Sequence, residues 1–522
     1  MKILETLALL ACSAATEARG VEQADAPGRP NILFIFTDDH STAAISAYGS
    51  KINRTPNIDR LAREGMVFDR VFCTNSICAP SRAVILTGKH SVANGVRDNG
   101  DLFDGAQENV AKLLQRAGYS TAMIGKWHLK TDPTGFDHWE VLPGQGHYYQ
   151  PDFLTPEGKH QREGYVTEVT TDLALEWLET GRDAERPFLL MCQQKAPHRS
   201  WLPGPQHLNM YDDVTIPEPE TLFDDYATRS DAARMQEMEI DRHMWMYYDL
   251  QVPPTDPDAE LDGPDRWAAG SLNRMTPDQR AAFEAAFADE NAAFRDAQLT
   301  GRELVSWKYQ RYIKDYLRCI AGVDDSVGRI LDYLDSSGLA ENTIVIYCSD
   351  QGFFLGEHGW YDKRWMYEPS LRMPFIVRWP GVTKAGSRCD ALAQNVDFAP
   401  TFLEAAGATI PEDMHGRSLA SLLRGERPND WRDEVYYEYF EVGIHAVQPH
   451  RGVRTDRHKL MHIHPLDQWE LYDLATDPNE LHNRYGDEAL AEVQADLTKR
   501  LERLRREYGE APEAQGAGTS GR

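Results

Sequence analysis

Positive charge is scarce in this chain of 522 residues: 55 Lys and Arg stand against 82 Asp and Glu, a formal net charge of −27 at pH 7. So acidic a surface repels nucleic acid and anionic membrane surfaces and argues against both as partners. Long apolar runs are missing too; none approaches the ~20 consecutive apolar residues that cross a bilayer. Cysteine is sparse, seven in all, and beyond Cys12 only Cys73, Cys78, Cys192, Cys319, Cys348 and Cys389 remain. Their spacings form neither a metal-binding pair nor an evident disulfide framework. Repeats are absent, and low-complexity composition is confined to "PEAQGAGTSGR", so residues 508–522 are expected to form a disordered tail. What remains, 41% apolar and 26% charged, is the composition of a soluble globular protein with room for an extensive core.

The first residues, "MKILETLALLACSAATEARG", combine Lys2, a short apolar stretch interrupted by Glu5, and small residues suited to cleavage. That pattern predicts an export segment and linker over 1–28, hence a periplasmic or secreted protein. "LLAC", ending at Cys12, also fits lipid attachment.

Short apolar runs alternate with helical patterns, the signature of an α/β sheet covered on both faces. "NILFIFTDDH" reads as a buried strand, Ile32 to Thr37, followed at once by Asp38 and Asp39. "NTIVIYCSDQG" repeats the design, Thr343 to Ser349 leading into Asp350 and Gln351. "STAMIGKWH" runs into Lys126 and His128, and "PFLLMCQQKAPH" into Lys195 and His198. Four strands thus end in chemically capable side chains, and in open α/β sheets ligands bind at the carboxyl ends. Helices between them are marked by Thr55 and Pro56, by the amphipathic "ENVAKLLQRAGY" stopped at Gly118, and by "CIAGVDDSVGRILDYLDSSG". The expected organisation is a catalytic α/β domain over 29–400 and a smaller subdomain over 401–507, an antiparallel sheet with a helix from Glu488 to Arg506. Residues 203–300, acidic and rich in Met and Pro, read as an insertion that sets specificity.

Asp38, Asp39 and Asp350 at neighbouring strand ends would repel one another. Either each finds an Arg or Lys, or a hard cation sits among them, with the amide oxygen of Gln351 as a further ligand. Taken singly, an aspartate after a strand is a turn or helix cap, a histidine there a hydrogen-bonded structural residue, and Lys126 and Lys363 solvated charges. Their convergence on one sheet edge favours a site.

"SICAPSRAVILTGKH" holds Cys78, Pro80, Ser81 and Arg82 in one turn, followed by Leu86-Thr87-Gly88. This resembles the C-x-P-S-R-x-x-x-L-T-G signature of the type I sulfatases, a long and specific motif. The resemblance extends through Thr37-Asp38-Asp39, Gly125-Lys126-Trp127-His128, Lys195-Ala196-Pro197-His198, Ser349-Asp350-Gln351-Gly352, "LGEHGWYDKRWMYEPSLRMPFIVRWPG" and "LYDLATDPNE", nearly the whole chain from 30 to 485. It implies an alkaline phosphatase-like fold, a large mixed sheet flanked by helices with a smaller C-terminal antiparallel sheet. It also implies that Cys78 is oxidised by a formylglycine-generating or sulfatase-maturing enzyme to Cα-formylglycine, carried as its hydrate. In such an enzyme Ca²⁺ is held by Asp38, Asp39, Asp350, Gln351 and the modified Cys78. Arg82 holds the hydrate, Lys126 bridges it to the sulfate, and His128 takes the proton whose loss releases sulfate. His198 and Lys363 contact the sulfate and protonate the departing sugar oxygen. Gln351 departs from relatives that often carry Asn or His there, but keeps an amide oxygen.

Within the family the active-site segments look most similar to mucin-desulfating and N-acetylglucosamine-6-sulfatases, with iduronate-2-sulfatase-like and algal-polysaccharide enzymes nearby. The segment 203–300 and the loop from His445 to Arg451 are expected to shape the sugar pocket, with Trp201, Trp360, Trp365 and His450 as sugar contacts. Each Trp is also an ordinary core residue. Net negative charge opposes docking a long sulfated polymer and predicts action on terminal sugars. Two other readings are a phosphonate monoester or phosphodiester hydrolase on the same fold, and a carbohydrate-binding protein whose Cys78 stays a thiol.

Overall fold

The computed structural model describes residues 29–256 and 258–509, so the expected export segment and residues 510–522 of the expected tail lie outside it. The ten-stranded mixed sheet runs in the order Ser387–Cys389, Met66–Phe68, Phe375–Arg378, Thr343–Ser349, Asn31–Thr37, Phe188–Gln193, Ser120–Lys126, His138–Leu142, Asp152–Thr155, Gly158–Gln161. Its five central strands, from Thr343–Ser349 to His138–Leu142, are mutually parallel. They are continuous apolar runs because both faces are covered. Ile32, Phe34 and Phe36 point into one core, and Leu33 and Ile35 into the other.

The 36-residue helix Gly301–Ser336 covers the second face, burying Leu317, Ile320 and Val323. Helices Cys78–Thr87, Val110–Arg116 and Phe398–Ala405 cover the first, with Ile85, Leu114 and Phe402 inside. The segment 203–300 holds long loops, the short helices Asp231–Met235 and Ile240–His243, and two longer helices that its composition did not announce. Gly263–Leu272 is one; the other is the 21-residue Pro277–Ala297, started by a capping box between Thr276 and Gln279.

Near the C-terminus, strands Glu434–Tyr439, His450–Thr455, His458–Ile463 and Gln468–Asp473 form an antiparallel sheet. Helix Ala491–Glu507 packs Leu497, Leu501 and Leu504 on one face against Tyr436, Val453, Leu460 and Leu471. The other face joins the main core through Val435, Tyr437, Tyr439 and Met461, so the two sheets share apolar packing. Among the described residues no helix is long and apolar enough to cross a membrane.

Candidate active site

Register builds the site. Thr37 pairs with Ser349, and Phe36 with Gln193, which also pairs with Gly125. The carboxyl ends of four parallel strands are therefore level, and the residues just beyond them meet. Asp39 lies in the left-handed region at φ 72°, which a short polar side chain tolerates. Its N–H donates to Asp350 Oδ1 at 3.0 Å. Carboxylate oxygens of Asp38, Asp39 and Asp350 lie within 4.8 Å of one another, and all three side chains are fully buried.

Cys78 is the first residue of helix Cys78–Thr87, whose cap, Ile77, provides no side-chain hydrogen bond. The helix's positive end thus faces the acid cluster. Pro80 fits because the first turn has no intrahelical N–H bond to lose. Cys78 Sγ lies 3.4 Å from Asp38 Oδ1 and 3.9 Å from Lys126 Nζ. Burial pushes its thiol up to about 12, against the pull of Lys363, so the unmodified thiol is a poor nucleophile at neutral pH. Arg82, one turn on along the same face, donates to Lys126 O and Gln193 Oε1, each at 2.6 Å, and to Asp350 Oδ2 at 3.0 Å.

Each carboxylate has a cationic partner: Lys126 contacts Asp38, Lys363 Nζ donates to Asp39 Oδ2 at 2.7 Å, and Arg82 holds Asp350. Asp39 and Asp362 hold Lys363 protonated, above its ordinary value in spite of burial. Both sequence-level alternatives remain compatible, because Gln351 Oε1 is buried without a hydrogen-bond partner while its Nε2 donates to Asp39 Oδ1. Three carboxylates and an orphaned amide oxygen suit a hard cation. With three negative and three positive side chains already matched, a divalent ion would leave the site positive, as an anionic ester requires.

His128 and His198 follow the two other strands. Burial, then the charges of Lys126 and neighbouring cations, hold both imidazoles well below their ordinary pKa, so both are neutral in the resting site. His198 Nδ1 lies 2.6 Å from Arg199 O and must donate to it, leaving Nε2, 3.9 Å from Asp39 Oδ2, without a proton.

The expected sugar contacts lie elsewhere. Trp201, Trp360 and Trp365 are fully buried in aromatic packing, Trp201 against Tyr312 and Trp360 against Tyr226 and Trp365. His450 is buried beside Trp365, where Nε2 accepts from the Met366 N–H. None of the four presents surface to a sugar. A cavity of about 470 Å³ opens instead beside His198, between residues 143–148, Lys195, Arg199 and helix Gly263–Leu272. Trp267 on that helix is 70% exposed. Sequence reasoning missed Gln145, whose Oε1 accepts from Lys126 Nζ at 2.6 Å, and Gln193, which orients Arg82. No motif flags Gln145; Gln193 is a strand-end polar residue like those singled out.

A mixed sheet with helices on both faces and this acid, lysine and histidine cluster at its parallel strands' carboxyl ends defines a hydrolase of the alkaline phosphatase-like superfamily. The chain belongs to the sulfatase family and is a sulfuric ester hydrolase: the sulfatase profile matches residues 30–408, and that of the N-sulphoglucosamine sulphohydrolase C-terminal region matches 356–507. It is 47% identical over 488 residues, 92% of this chain and 87% of the relative, to the N-acetylglucosamine-6-O-sulfatase of Bacteroides thetaiotaomicron. A solved structure described as a complex with its substrate D-glucosamine-2-N,6-O-disulfate is similar with TM-score 0.89 and 45% identity, over 94% of this chain and 100% of that one. The phosphonate monoester hydrolase of Agrobacterium radiobacter, 22% identical with TM-score 0.66 over 92% of this chain and 96% of its own, shares the fold.

Proposed function

We propose that the protein removes 6-O-sulfate from terminal glucosamine residues, N-acetylated or N-sulfated, of mucin or glycosaminoglycan type glycans. The choice of sugar rests on the 47% identity, over 92% of the chain, to an N-acetylglucosamine-6-O-sulfatase. The solved structure that is 45% identical is a complex with a glucosamine carrying sulfate on both nitrogen and O6. Matured to Cα-formylglycine, residue 78 supplies a hydrated aldehyde as oxygen nucleophile, and Ca²⁺ held by Asp38, Asp39, Asp350, Gln351 and residue 78 supplies positive charge for the sulfate.

The chain's own side chains do the rest. Arg82, locked by Asp350, Gln193 and the Lys126 carbonyl, orients residue 78. Lys126 and Lys363 offer their ammonium groups to sulfate oxygens. His128, kept neutral by burial, accepts a proton. His198 starts neutral; the arriving anion favours protonation of its Nε2, which then protonates the bridging ester oxygen as it leaves, with Lys363 beside it. The cavity beyond His198 takes the sugar, and the net charge of −27, which opposes docking a long sulfated polymer, favours chain ends. A maturation enzyme and export to the periplasm or exterior are part of this reading.

Matured protein with Ca²⁺ is expected to desulfate N-acetylglucosamine-6-sulfate faster than 3-O- or 2-O-sulfated sugars, with peptide mass spectrometry across residue 78 reporting the aldehyde. Faster turnover of an aryl phosphonate or phosphodiester than of any sulfate would favour the phosphoryl reading and defeat this one.

A further inference from the structure

In a chain of net charge −27, the described residues that wall the cavity beyond His198 include no carboxylate. Lys195, Arg199, Arg266, Arg274, His147 and His198 face it instead. The arginines are engaged: Arg199 by both oxygens of Asp249 at 2.6 and 2.7 Å, Arg274 by Asp152 at 3.2 Å, and Arg266 by Leu261 O at 3.0 Å. Lys195 is not. It is 3% exposed and, among the described residues, its ammonium has neither a hydrogen bond nor a carboxylate within ion-pair distance; its Nζ lies 4.7 Å from the centre of the Tyr148 ring. Asp39 acts on this ammonium only from beyond ion-pair distance, and an ammonium buried without a direct partner is costly and is retained where a ligand supplies one. Burial pulls Lys195 down to about 8, which fits a cation awaiting its anion. The scissile sulfate already has Lys126 and Lys363.

We propose that Lys195 is a specificity-determining residue that binds a second anion on the reacting sugar, an N-sulfo group, so that the enzyme favours N,6-disulfated over N-acetylated glucosamine. This rests on the 6-O-sulfatase reading above. An acetyl group has no charge to place against the ammonium; a sulfo group accepts charge-assisted hydrogen bonds from it.

The test compares kcat/KM of matured wild-type and Lys195→Met enzymes on D-glucosamine N,6-disulfate and N-acetyl-D-glucosamine 6-sulfate. The expected result is a wild-type preference for the disulfate, reduced about tenfold or more in the variant, chiefly through KM, and partly restored by Lys195→Arg. Equal losses on the two sugars would overturn the inference and leave the 6-O-sulfatase reading intact; a wild-type enzyme inactive on both would overturn both. Should Lys195→Met not fold, wild-type inhibition answers the same question. N-sulfoglucosamine is expected to compete about tenfold more strongly than N-acetylglucosamine, and equal competition would overturn the inference.

Discussion

Arg82 Nη2 donates to Asp350 Oδ2 at 3.0 Å with both side chains buried, tying the helix that carries residue 78 to the strand that carries the acid cluster. Removing one partner of a buried pair leaves the other charge unpaired. Arg82→Ala is therefore expected to cost about 3–5 kcal/mol of stability as well as activity. Arg82→Lys keeps the charge but, as a compact ammonium, cannot reproduce the planar fork that reaches these separated acceptors, so activity should fall far more than thermal midpoint. A thermal scan beside a rate measurement separates the two effects; equal damage from both variants would contradict this role.

Cys78→Ala is expected to fold normally, because the thiol makes only long contacts at 3.4 and 3.9 Å. Its Tm should stay within about 2 °C of wild type. Activity should drop by at least roughly 10⁴-fold. Residual turnover near wild type would remove residue 78 from the chemistry.

Chelation should inactivate and destabilise the protein together. An ion bound only by the folded state adds about 2.7 kcal/mol at a hundred times its Kd, so Tm should climb with added Ca²⁺. Gln351→Leu removes the orphaned oxygen and should raise the Ca²⁺ concentration for half the Tm shift by at least about tenfold. A Tm indifferent to Ca²⁺ in wild type would rule out the ion.

The acid limb of kcat/KM should lie below pH ~6.5, the ordinary imidazole value, because burial and neighbouring cations keep His128 neutral to lower pH. His128→Ala should abolish that limb along with most of the rate. A limb at or above pH ~7 would assign it to another group.

Stability should fall on acidification through a different histidine. Burial holds His450 down to about 3, so between pH ~6.5 and that value the unfolded chain binds a proton that the folded chain does not. Stability attributable to this group is complete above ~6.5 and is lost as pH falls, by on the order of 5 kcal/mol at most. His450→Gln keeps an acceptor for the Met366 amide and should flatten the decline in Tm over that range. An unchanged decline would place the acid sensitivity elsewhere.

Local sequence carried the chemistry because it is written in short contiguous pieces. A strand is a run of apolar residues, its end is the next polar residue, and Asp38, Asp39, Asp350, Lys126, His128 and His198 occupy such ends. Cys78 and Arg82 share one helical turn, so their spacing already puts them on one face. The parallel register that levels these ends is a nonlocal fact, yet a fully buried α/β sheet allows few alternatives.

Tertiary packing decided the sugar side. An aromatic residue is a core residue or a surface platform according to what lies across from it, and nothing near Trp201, Trp360, Trp365 or His450 in the chain reveals that all four are enclosed. Trp267, 70% exposed on a helix unforeseen in an irregular segment, stands where those residues were expected to act. Lys195 was visible at its strand end; its lack of a direct ion-pair partner was not, since that depends on every residue that folding could have brought against it and did not. Motif and hydrophobic period are local properties, whereas burial and charge pairing belong to residues distant in sequence, and only the folded chain assigns them.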